Sequence, residues 1–348
     1  ARLGAGPVVL PVRCYPLWVD TIGEVWISTV EMWVGTPTVA LPLALDGGYG
    51  WLQLSSPSCK PLDLCGVGER YDPAGSQTSV MRGPFNESYG FGIFQAAGTT
   101  YGDLVRVAPE DGPLAMALAV IDQFSSAIAS PEGNLNTSGG LGYAIPDSDM
   151  AQFSLLTTLM EQRRLPPRLT LWLPATLAET GYLLLGTPTV GTVLSVPVEK
   201  STWAGKPYFH YWTATLSGVA VDGQAVLNCA SPLNQCKFLL DSAAGGMTLA
   251  GIAPIFVAPD CSNVSSLPRI TVMIANVSFD FLPADYILRS ALDGTCYSSI
   301  VSAPSFAPSI LGTTWLRTYP TTLDQGALTM SVHEKAHLAQ IIPTEFLT

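Results

Sequence analysis

Two aspartates stand where a carboxylate could take part in acid–base chemistry. The stretch "LPLALDGGYGWLQL", residues 41–54, runs apolar residues into Asp46 and follows it with Gly47 and Gly48. In the other half, "FLLDSAAGG" leads into Asp241 and continues with Ser242 and Ala243. Each half then carries a later apolar-Gly element, "GGLGYA" with Leu141 and Gly142, and "SILGTTWLR" with Ile310, Leu311 and Gly312. The same order occurs twice, which is the mark of an internal repeat. Two strand-rich lobes, each offering one carboxylate at a turn, would set the acids face to face across a cleft. Small residues beside them let the backbone turn tightly and approach whatever lies between. Two carboxylates held that close cannot both ionise easily, so one keeps its proton while the other serves as a base.

The elements that must position this pair read as strands. The 348 residues include 32 Gly and 28 Pro spread along the chain, a pattern of short strands between turns. Polar and apolar residues alternate at 24–35, 209–223 and 269–281. The clearest helix candidate is "DMAQFSLLTTLMEQRRLPP", 149–167, with Asp near its start and Pro at its stop. The expected fold class is mostly β with two related lobes, 1–190 carrying Asp46 and 191–348 carrying Asp241. Apolar residues make up 48% and charged residues 12%, which excludes a disordered chain, and no uninterrupted apolar run reaches the roughly 18 residues of a membrane span. A net charge of -11 leaves no basic surface for phosphates, so nucleic acid is excluded as a partner. Four N-x-S/T sequons, at Asn86, Asn136, Asn263 and Asn276, point to glycosylation in a secreted protein, in a vesicular lumen, or in an ectodomain cut from an anchored protein.

The punctuation resembles that of the pepsin family of aspartic peptidases over nearly the whole chain. "VGTPTVALPLALDGGYGWLQLSSPSC" is similar to the family's GTP, apolar strand, Asp-Thr-Gly, Trp and Cys; "SYGFGIFQAAGTTYGDLVRV" resembles its flap hairpin and the following strand. "YWTATLSGVAVDG", with Cys236 and Asp241 beyond it, resembles the approach to the second aspartate, and "SILGTTWLRTYPTTLDQGALTMSV" the closing segment. The resemblance implies a bilobal pepsin-like fold with a central cleft for an extended polypeptide substrate or protein ligand, covered by a flap bearing Tyr89 and Gly90. It implies Asp46 and Asp241 as the catalytic dyad, with no cofactor and no metal. It implies disulfides Cys59–Cys65, Cys229–Cys236 and Cys261–Cys296, which leaves Cys14 unpaired or available for an interchain contact. Trp51 would hydrogen-bond Tyr89 beside the cleft.

Aspartic peptidases are the established example of a carboxyl pair that shares one proton and activates a water between its members. This chain departs from the family around both acids. Asp46-Gly47-Gly48 and Asp241-Ser242-Ala243 replace Asp-Thr-Gly, so Ser242 can supply one half of the hydroxyl grip between the lobes and Gly47 cannot supply the other. Tyr49 and Ala244 occupy positions where the family usually has a small hydroxyl bonded to the carboxylate, and a Tyr at 49 could crowd the water site. Two functions of different class therefore fit: an endopeptidase working at acidic pH, or a pseudo-peptidase that binds, inhibits or receives another protein.

Other motifs read more plainly. "HEKAH", with His333, Glu334 and His337, matches a zinc-binding H-E-x-x-H, but such a site needs a packed helix, and here the motif follows the strand-like "ALTMSV" near the C-terminus. A tail is expected. His210 sits in an apolar strand, and no nucleophile elbow accompanies it. Trp26, Trp33, Trp203, Trp212 and Trp315 are expected as core aromatics, Asp103 as a strand residue without chemistry, and Asp63, Asp72 and Asp324 as turn or surface residues.

Overall fold

A computed structural model describes residues 8–19, 23–60, 65, 68–89, 94–109, 111–126, 137–146, 149–163, 165–186, 191–203, 206–208, 211–229, 236–304 and 307–334. Gly90, Asn136, His210, His337 and Asp63 lie outside them. The chain is mostly strand, in large sheets that build two lobes.

Alternation in the sequence becomes facing in the sheet. Along Val39–Asp46, Leu41, Leu43 and Leu45 are buried at 0–1% exposure while the residues between them are only half-buried. Successive side chains of a strand point to opposite faces, so the same phase that sinks the three leucines sends Asp46 the other way, toward the cleft. Each such leucine is worth about 1.5–3 kcal/mol when taken from water.

Both halves build their aspartate turn by the same pairing. Val39–Asp46 runs parallel to Gly139–Gly142, with Asp46 in register with Gly142. Lys237–Leu240 runs parallel to Ser309–Leu311, with Leu240 in register with Leu311. A strand just after each aspartate, Leu52–Ser55 or Met247–Leu249, then lies antiparallel on the other side of the apolar-Gly strand. The repeat read from the sequence is thus a repeated crossing of three strands.

A 13-stranded sheet holds most of the first half, including the long hairpin Val80–Tyr89 and Phe94–Arg106. It continues into Thr192–Pro197, Thr321–Asp324 and Thr329–His333 from the second half, so strands on both sides of residue 190 share one sheet. A seven-stranded path and one branch strand, Gln224–Asn228, form the eight-stranded sheet of the second lobe.

Some sequence expectations change. The alternating run at 269–281 is a hairpin, Ile270–Ile274 and Val277–Phe281, because Ala275 and Asn276 take positive φ of 47° and 64° and turn the chain. The expected helix is Leu155–Arg163, preceded by a 3-10 turn at Ala151–Phe153. His333 is buried inside the strand Thr329–His333, with Nε2 2.7 Å from Thr322 Oγ1, so the HExxH match begins in a sheet; its residues 335–337 lie outside the described residues. Asp324, expected at a turn or a surface, stands at a turn, accepting from Ala327 N–H at 2.8 Å, but is buried and also accepts from Arg168 Nε at 2.7 Å. Asp72 does cap a turn, accepting from Ala74 N–H.

All three disulfides form as the resemblance implies. Cys14 is not at the surface. It packs with Trp26 and Leu288, at 5% exposure and 3.3 Å from Ser28 Oγ, where an interchain bridge has no access to the sulfur.

Trp315 anchors the second lobe. Its ring meets Phe279, Phe281 and Tyr319 at 5.0, 5.9 and 5.2 Å, and its Nε1 donates to Thr321 Oγ1 at 3.0 Å. Trp315→Ala is expected to cost about 3–5 kcal/mol. The check is the urea unfolding midpoint, which should fall while the slope stays unchanged.

Candidate active site

Asp46 and Asp241 meet at the floor of a cavity of about 430 Å³ between the lobes. Each carboxylate is held first by its own turn: Gly48 N–H donates to Asp46 Oδ1 at 2.7 Å, and Ala243 N–H to Asp241 Oδ1 at 3.0 Å. A third bond crosses the interface, from Gly47 N–H to Asp241 Oδ1 at 2.9 Å. That approach requires glycine at 47. A Cβ there would stand 2.7 Å from the Leu240 carbonyl oxygen and 3.0 Å from the Asp241 Cα.

The electrostatics follow from burial. The Asp46 carboxyl is pushed well above the usual carboxylate range, first by desolvation and then by the neighbouring Asp241, against the single Gly48 N–H. Asp241 is raised by desolvation and lowered by the Ala243 and Gly47 N–H groups. Two donors on one acid and one on the other weight the negative charge toward Asp241.

Ser242 is fully buried and donates from Oγ to the Leu45 carbonyl across the interface at 2.7 Å, the half of the lobe grip that the sequence retains. A hydroxyl that the sequence reading passed over lies on its other side. Tyr143 Oη accepts from Ser242 N–H at 2.8 Å and donates to Ser242 Oγ at 2.9 Å. The Tyr143 carbonyl accepts from Trp212 Nε1 at 2.8 Å, and its N–H donates to the Asp46 carbonyl at 2.9 Å.

Tyr49 does not line the cavity. It turns under the flap hairpin, its ring 4.8 Å from Trp51 and 4.7 Å from Tyr89. Its space comes from two glycines on the adjacent strand: a Cβ at Gly140 or Gly142 would collide with the Tyr49 hydroxyl or ring. The expected hydrogen bond between Trp51 and Tyr89 is absent. Their rings meet edge to face at 5.5 Å, Tyr49 packs against both, and Gln53 Nε2 reaches Tyr89 Oη at 3.4 Å. Trp51 Nε1 is buried without a hydrogen-bond partner among the described residues.

Apolar walls complete the cavity, with Val25, Tyr89, Phe94, Leu239, Ile310 and Val301 among them. Glu24, also unforeseen, borders it at 3% exposure. Its carboxylate accepts from Ser290 Oγ at 2.9 Å and Ala291 N–H at 3.1 Å, and from Trp26 Nε1 and Tyr297 Oη at 3.4 Å. These bonds join Glu24 in the first half to Ser290, Ala291 and Tyr297 in the second. Nothing in the local sequence of Glu24 announces partners more than 260 residues away.

Comparison with known proteins decides the family: the profile described as eukaryotic aspartyl protease matches residues 28–335. The chain belongs to that family. Among curated relatives it is 25% identical to gastricsin of Mus musculus over 85% of this chain and 78% of the relative. Identity to cathepsin D of Dictyostelium discoideum is 26%, over 84% of this chain and 79% of the relative. A match to plasmepsin VI of Plasmodium berghei (strain Anka), 25% identical, covers 57% of this chain and about half, 49%, of that protein.

Two outcomes follow from the geometry. A carboxyl whose folded-state pKa is raised contributes stability below its unfolded value of about 4, and that stability is lost as pH rises through the folded value. Asp46→Asn, which keeps an acceptor for Gly48 N–H, should therefore match the wild-type Tm near pH 3.5 and exceed it progressively toward pH 7, as followed by calorimetry. Gly140→Ala should lower stability by about 1–3 kcal/mol through overpacking. Combining it with Tyr49→Phe, which removes the clashing oxygen, should restore part of the loss in a double-mutant cycle.

Proposed function

We propose that this member of the aspartyl protease family is an endopeptidase that hydrolyses peptide bonds with a water activated between Asp46 and Asp241. The observation that carries the reading is the bond from Gly47 N–H to Asp241 Oδ1, which draws the two aspartate turns together although the usual hydroxyl residue is missing. In this reading residues 1–190 and 191–348 are the two lobes, and an extended polypeptide lies between them.

Asp241, with two N–H donors, takes the proton of the attacking water, while Asp46 keeps its own proton and polarises the scissile carbonyl. No covalent intermediate is required. The pH limits belong to the pair, not to either acid. Because both carboxyls are raised by burial, the singly protonated pair extends to higher pH than ordinary carboxylates would allow, giving a mildly acidic optimum. Apolar walls favour apolar side chains beside the cleaved bond. Tyr89 lies at the end of its flap strand with its ring at the cavity. The place of action is extracellular or a vesicular lumen, with Asn86 and Asn276, both exposed, as carbohydrate acceptors. Asn263 is half-buried, its side chain bonded to Phe256 O and Ala258 N.

The reading is tested by cleavage of a denatured protein mixture between pH 3 and 7, with and without pepstatin, beside Asp46→Asn. Cleavage abolished by both is the expected result. Intact substrate at every pH, with folded protein free of any prosegment, would reject catalysis and favour a protein that only binds in its cleft.

A further inference from the structure

We propose that Tyr143 is the positioning residue of the aspartate pair, closing between the lobes a hydroxyl relay that takes the place of the side chain missing at Gly47. This inference rests on the peptidase reading for its kinetic consequence, though not for its geometry.

The argument begins with what cannot fit. The Leu240 carbonyl and Asp241 Cα lie so near Gly47 that a β-carbon would overlap them, so no hydroxyl can be supplied from position 47. The grip on the second aspartate turn must come from elsewhere. Tyr143 brings one from the neighbouring strand end, since it follows Gly142, the register partner of Asp46. Its oxygen accepts from Ser242 N–H at 2.8 Å and donates to Ser242 Oγ at 2.9 Å, and that Oγ in turn donates a hydrogen bond to the Leu45 carbonyl at 2.7 Å. Every donor in the relay has an acceptor.

Both aspartates feel this relay at one bond's remove. Leu45 precedes Asp46 and Ser242 follows Asp241, so the chain of hydrogen bonds joins the two residues adjoining the acids. The Tyr143 backbone is pinned at both ends, N–H to the Asp46 carbonyl and carbonyl to Trp212 Nε1. Its side chain is therefore delivered from a fixed support. Tyr143 and Ser242 are 4% and 0% exposed, which keeps solvent from replacing either partner. Burial and the nearby Asp241 hold the phenol well above its ordinary range, so it remains a donor throughout the working pH.

Tyr143→Phe removes the oxygen and keeps the ring. Hydrogen exchange of the segment 240–245 should accelerate by about tenfold in the folded variant, with the distant hairpin Ile270–Phe281 unchanged. If wild type cleaves, kcat should fall by about 10- to 100-fold while KM stays within about twofold, because misplacement of reacting groups acts on turnover more than on binding. Should Tyr143→Phe fail to fold, Ser242→Ala, which opens the relay at its other hydroxyl, should loosen the same segment. Exchange of 240–245 and kcat both within about twofold of wild type would overturn the proposal. A wild type that cleaves nothing overturns the peptidase reading instead, and the exchange result alone then decides the relay.

Discussion

Two acids must be brought together out of water, and this contact is the constraint on which the rest of the fold depends. Like charges in a desolvated place repel strongly, and the pair is tolerated because one member can hold a proton. The structure offsets the remaining cost with backbone N–H groups at each turn and with bonds that tie one lobe to the other: Gly47 to Asp241, Ser242 to Leu45, Trp212 to Tyr143, and Ser290 to Glu24. All but the last cluster within a few residues of the acids. Glu24 lies elsewhere along the cleft and gives the interface a second, separate set of hydrogen bonds.

The two halves share a backbone plan and differ in how they fill it. Behind Asp46 the plan is filled by a large side chain, Tyr49, seated where Gly140 and Gly142 leave space. Behind Asp241 the matching position is Ala244, and the facing Gly312 lies against its carbonyl and Cβ. Packing density is kept by pairing large with small, so residues that look degenerate beside the family pattern are complementary to one another. Tyr49 illustrates why size alone misleads. A bulky residue three positions from an active acid suggests obstruction, yet its direction is set by glycines nearly a hundred residues away, and it turns into the aromatic layer beneath the flap.

How much of this could be read from the sequence depended on the range of the interaction. The mostly β character and the repeated Asp and apolar-Gly elements were legible because each leaves a local pattern, and the disulfide pairs were implied by the resemblance to the pepsin family. The run at 269–281 reads as one strand only while the change of apolar phase across Ala275 and Asn276 is overlooked, from Ile270, Val272 and Ile274 to Val277, Phe279 and Phe281; the positive φ of those two residues turns the chain there. Tyr143 carries no local sign of its role, which is defined by Ser242 in the other lobe. Glu24 and Cys14 were opaque for the same reason: one acid among many and one unpaired thiol have no meaning until the lobes close over them. The absent Trp51–Tyr89 bond shows the reverse error, in which a pairwise pattern was carried over without the third ring that changes it.

Ala244 has no hydroxyl and Tyr49 keeps its own away from the cavity, which bears on the chemical tuning as well as the packing. A hydroxyl donating to a carboxylate stabilises the ion and lowers its pKa. Here the described hydrogen bonds to the acids come from backbone N–H groups alone, one at Asp46 and two at Asp241. Burial is left as the dominant influence on both. An asymmetric pair results, in which the number of backbone N–H donors, not side-chain chemistry, distinguishes one carboxyl from the other. Such a pair depends heavily on the rigidity of its turns, because an N–H lies in hydrogen-bonding range only while the loops stay in register. Glycine at 47 therefore supplies no hydroxyl but admits the close approach at which its N–H reaches Asp241.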